Sequence, residues 1–195
     1  MTDQASGDNE VEAEAAADEA EQRAFDAGPA GLERSEEAAD ASEVEAAFKA
    51  HVDGLGLRFF TFREFLFLGG THSTPGSRCF GLNALPAKAL WRNLDATARA
   101  LDELRSRLNA PIRLNSIYRN EAYNRCLSGT ASESQHKQMR AIDFTAADGR
   151  GPGHWSDVLI RMRDVEGVFS GGIGIYNTFV HVDTRGHRAD WDMRH

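Results

Sequence analysis

Residues 171–186 read GGIGIYNTFVHVDTRG. Two short runs rich in Ile, Val and aromatic residues flank Asn177-Thr178. A two-residue connection between such runs predicts a β-hairpin. Side chains alternate across a strand, so Val180 and Val182 are expected in a core. His181 and Asp183 then share the opposite face.

Working outward, AIDFTA (141–146) reads as another short strand, and PIRLNSIYRN (111–120) as a strand running into a loop. AKALWRNLDATARALDELRSRLN (87–109) is the clearest helix. Leu90, Leu94, Ala98, Leu101, Leu104 and Leu108 recur at spacings of three and four, and Pro111 marks the end. HWSDVLIRMRDV (154–165) reads as a second helix, and EAYNRCLSG (121–129) as a short one stopped by Gly129. SEVEAAFKAHVDGLG (42–56) fits a short helix with Ser42 as N-cap, Glu45 completing a capping box, and Gly54 and Gly56 at its end. The Phe residues of LRFFTFREFLFLGG (57–70) are expected to plug the core. The fold class is α+β: helices packed on a small, largely antiparallel sheet.

Charge divides the 195-residue chain unevenly. Residues 1–50 hold 15 acidic and 3 basic side chains, and the remainder holds 15 acidic and 19 basic. Residues 1–42 are rich in Ala, Glu and Asp, with a single Phe and no Trp, Tyr or Ile. Such a segment buries too little apolar area to offset its ordering entropy. It is expected to be a disordered acidic tail ahead of one domain over 43–195. The domain's small positive excess is too weak to imply nucleic-acid binding. No apolar run is long enough to span a bilayer. The first twenty residues lack the basic start and apolar core of a signal peptide. Without such a signal the chain reads as cytoplasmic, and a monomer is expected. Cys79 and Cys126 allow one intramolecular disulfide at most, and two free buried thiols are the expectation. There is no Walker-type loop, G-x-S-x-G elbow or CxxC pair.

The chemistry lies in SQHKQMRAIDF (134–144) and in the hairpin. A catalytic zinc site needs three His or carboxylate ligands and one open position. His136, Asp143 and His181 supply such a set. Asp143 stands between Ile142 and Phe144, where an acid needs a strong partner: a metal or an arginine. Asp183 is placed to orient an imidazole or to take a proton from the attacking water. Arg119, just past a strand end, could polarise a carbonyl. Ser134 offers a hydroxyl. His51, His72, His154, His187 and His195 show no partner spacing and read as surface or capping histidines.

Taken together, SIYRNEAYN, SQHKQMRAIDF, GGIGIY and FVHVDTRG resemble the M15 zinc peptidases, in particular the D-Ala-D-Ala carboxypeptidase-like branch. The resemblance spans about residues 58–191. It implies one zinc ion and cleavage of peptide bonds in peptidoglycan stem peptides. His136, Asp143 and His181 match the zinc ligands, and Arg119 the arginine that holds the substrate carbonyl. Ser134 and Tyr176 match substrate contacts. Two positions depart from the pattern. Met139 stands where many members carry glycine, and Thr178 where several carry an acidic base. Asp183, on the face of His181, is then the expected replacement base. A metal-holding binding module without hydrolysis, as in hedgehog signalling domains, is the alternative.

Overall fold

The structure is a computed structural model that describes residues 38–127 and 131–195. The elements in chain order are α1 (Ala38–Asp53), α2 (Phe62–Phe65), α3 (Gly70–Ser73), α4 (Trp91–Leu108), β1 (Ile112–Ser116), α5 (Glu121–Cys126), β2 (Ala141–Ala146), α6 (Pro152–Asp164), β3 (Gly172–Ile175), β4 (Val180–Asp183) and β5 (Ala189–Asp192). Short 3-10 turns, Lys88–Leu90 and Gln135–Gln138, precede α4 and β2.

The five strands form one sheet in the order β1-β2-β4-β3-β5. Every neighbouring pair is antiparallel except β3 and β5. The expected hairpin is present: the Tyr176 N–H donates to the Phe179 carbonyl at 3.1 Å, closing the turn over Asn177 and Thr178. One face of the sheet carries Leu114, Ile142, Phe144, Ile173, Val180 and Val182. These pack with Leu94, Leu101 and Leu104 of α4 and with Leu159 and Met162 of α6 in the main core. The apolar stripe of α4 thus does what its spacing predicts. Asn109, left-handed at φ 49°, caps it. Phe60, Phe62 and Phe65 are buried in the same core, while Phe59 is exposed.

Three expectations are corrected. Ser42 is not an N-cap: α1 begins at Ala38, because Ala38, Ala39 and Ala41 are strong helix formers and carry the helix past it. The remainder of the expected tail, and Gly129, lie outside the described residues. Cys79 and Cys126 are not free thiols. The segment after α3 folds against α5, brings their Cα atoms to 5.7 Å and joins them in a disulfide. β5 was not anticipated. Its Ala-Asp-Trp-Asp sequence is short and half acidic, and its partner β3 lies well back in the chain.

Candidate metal centre

The sheet face opposite the core gathers the polar side chains. Asp143 on β2 pairs in register with His181 on β4, and His181 with Gly174 on β3. Gly174 in turn pairs with Trp191 on β5. A bulge in β1 between Leu114 and Ser116 sets Ser116 opposite Asp143. His136 reaches the same place from the turn before β2. Ser134 caps that turn, accepting from the His136 N–H at 3.4 Å.

Three ligand atoms converge. His136 Nε2 lies 3.1 Å from Asp143 Oδ2, His181 Nδ1 lies 2.8 Å from Asp143 Oδ1, and the two imidazole nitrogens are 3.3 Å apart. Four-coordinate zinc with bonds near 2.05 Å places its ligands about 3.3 Å from one another. The set therefore fits one small divalent ion. Each ring is turned so that the facing nitrogen is the available one. His136 Nδ1 is 2.8 Å from the Ile117 carbonyl oxygen, which takes its N–H and leaves Nε2 as ligand. His181 Nε2 is 3.1 Å from Asp183 Oδ2, which leaves Nδ1. All three residues are buried, and these atoms lie within 4.8 Å of one another.

Arg119 is fully buried beside the set. Its Nη2 donates to Asp143 Oδ2 at 2.8 Å and its Nε to Ser116 Oγ at 2.9 Å. Asp143 thus has both partners its apolar strand demands, the histidines and an arginine. Although burial opposes it, the two histidines hold the Asp143 carboxyl far below the usual range. Burial, then the Arg119 charge, pushes His136 down. His181 is raised to about 9, because its bonds to Asp143 and Asp183 outweigh its burial.

Asp183 is buried and surrounded by donors. Besides His181 it accepts from the Gly172 N–H at 3.0 Å, the Arg185 N–H at 3.0 Å and the Arg185 guanidinium at 2.6–3.0 Å. Against the cost of burial, His181 and Arg185 keep its carboxyl well below the usual range. The glycines of GGIG make room for this face: a Cβ on Gly172 would collide with the Asp183 carboxylate, and one on Gly174 with the Trp191 indole.

The expected site residues His136, Asp143, His181, Asp183, Arg119 and Ser134 come together. Tyr176 lies next to Trp191, at the edge of this face. Its ring is buried and stacked on Phe179 at 4.2 Å, and its hydroxyl accepts from Trp191 Nε1 at 2.8 Å. His187 is exposed in the connection from β4 to β5. Met139, in the glycine position, is left-handed at φ 56° with its side chain fully buried. Sequence reasoning missed Trp191, whose ring centre stands 5.1 Å from that of His181.

Two imidazoles and one carboxylate on a small α+β sheet are the ligand class of hydrolytic metal centres. A family model described as peptidase M15 matches residues 80–183, just over half of the chain, and the chain belongs to that family of metallopeptidases. No curated protein and no solved structure matches it.

Proposed function

We propose that the protein is a zinc peptidase that hydrolyses peptide bonds in peptidoglycan stem peptides, by carboxypeptidase-like or endopeptidase action. The observation that supports this reading is the buried His136–Asp143–His181 set in a chain of the M15 family. His136, Asp143 and His181 would hold the zinc, which would supply Lewis acidity toward a scissile carbonyl and its attacking water. Arg119, touching the Asp143 carboxylate, contributes a permanent positive charge beside the oxyanion that develops during attack. Ser134 holds the turn that delivers His136. Asp183 acts as the orienting acceptor of His181. It sits across the ring from the ligand nitrogen with its oxygens already occupied, so it is badly placed to serve as general base.

The binding-module alternative gains from the same observation. Thr178 leaves the hairpin turn without an acid, and Asp183 is engaged elsewhere. Purified muropeptides digested with the zinc-loaded protein, read by mass spectrometry beside His136→Ala, decide between the two. A product seen only with the wild type supports the peptidase, and its mass identifies the bond. Zinc-loaded protein that yields no product supports the module.

A further inference from the structure

Trp191 is the one tryptophan of the three that is only half buried, whereas Trp91 and Trp155 lie in the main core. It reaches the metal face because Gly174, its register partner, has no side chain. A central strand thereby gives up a side chain to let an indole lie beside the ligand His181, 5.1 Å between ring centres. Its polar atom is already used, since Nε1 donates to Tyr176 Oη at 2.8 Å. The Arg185 guanidinium lies 5.5 Å over the ring, and its charge is matched by Asp183. What this wall offers a ligand is therefore the half-exposed part of an indole, beside a guanidinium whose charge is matched.

We infer that Trp191 is a specificity-determining residue: it packs against an apolar side chain on the residue that carries the scissile carbonyl. The inference rests on the peptidase reading and adds to it a preference that the ligand set alone does not contain. A purely structural cover for His181 would give no preference among side chains at equal metal loading.

The test is equilibrium binding, by calorimetry, of three metal-directed probes to the zinc-loaded protein: the hydroxamates of N-acetyl-glycine, N-acetyl-D-alanine and N-acetyl-D-leucine. Partial burial of the leucine side chain against the indole should favour that probe over glycine by about tenfold. In Trp191→Ala the ratio should fall to near one, with zinc content and glycine-probe affinity retained. Trp191→Phe keeps an aromatic face and should keep most of the preference, which separates contact from folding. Equal affinity for all three probes in the wild type, or an unchanged preference in Trp191→Ala, overturns the inference and leaves the metal centre standing. Failure of every probe to bind zinc-loaded protein overturns the peptidase reading, and this inference with it.

Discussion

His181 Nε2 lies 3.1 Å from Asp183 Oδ2, on the edge of the imidazole opposite the Nδ1 that faces Asp143. One side of the ring is committed to a carboxylate that fixes its tautomer, and the other to the metal position. Loss of such an outer carboxylate lowers metal affinity by roughly 10–100-fold. Asp183→Asn should therefore weaken zinc binding by that order, and saturating zinc should restore most of the activity. Zinc titrations against a chelator, with turnover measured at each loading, check it. A variant that holds zinc as tightly as the wild type yet does not turn over would make Asp183 the base instead.

Protons compete with the metal for the same nitrogen. Without an ion, His181 is raised to about 9, so at pH 7 it carries both ring protons, one toward Asp143 and one toward Asp183. Asp143 is already charged, and His136, pushed down by burial, is already neutral at Nε2. Zinc binding at pH 7 should release about one proton, and apparent affinity should rise about tenfold per pH unit until about pH 9. In the metal-free protein the same raised pKa stabilises the fold at low pH; that contribution is complete below about 6.5 and is lost as pH rises through 9. Zinc calorimetry in buffers of differing ionisation enthalpy counts the protons. A count of two, or of none, contradicts this protonation state.

Met139 turns the chain in a left-handed conformation that glycine adopts freely and other residues adopt at a cost of roughly 1–2 kcal/mol. Its side chain is fully buried in the main core, and deleting such a side chain costs roughly 2–5 kcal/mol. Burial exceeds strain, so Met139→Gly should destabilise the protein by about 2 kcal/mol despite relieving the backbone. Urea unfolding measures the difference. A more stable glycine variant would mean that strain at this turn outweighs packing.

Asp143 and His181 were legible from local rules, and His136 from the motif it shares with Asp143. Period-two alternation put His181 and Asp183 on one face, and an acid flanked by Ile142 and Phe144 declared its need for a partner. Trp191 was not legible, because its place depends on β5 lying parallel to β3 and on the empty position above Gly174. Neither leaves a local pattern. The contact between the Tyr176 hydroxyl and Trp191 was not legible for the same reason: only the pairing of β5 shows it. For Asp183 the sequence left two roles open, and the proposal of an orienting role rests on donors around its carboxylate that only the fold brings together. The disulfide was invisible because no spacing rule connects a loop cysteine to a helical one across an intervening strand.

That disulfide yields the last expectation. It closes a loop of 47 residues between the segment after α3 and the end of α5. On the chain-entropy account, a cross-link of that span stabilises the fold by about 4 kcal/mol. It also braces the approach to Arg119. Asn83, a few residues beyond Cys79, donates to the carbonyls of Leu68 and Tyr118 and accepts from the Asn120 N–H, so it holds the chain on both sides of Arg119. Cys79→Ser/Cys126→Ser should lower the urea midpoint sharply and reduce turnover at saturating zinc, while zinc affinity changes little, because none of the three ligands lies on the braced segment. An unchanged midpoint would show that the packing of Tyr123 and Leu127 holds this region without the bond. A collapse of zinc affinity would show that Arg119, and not only the ligands, maintains the metal position.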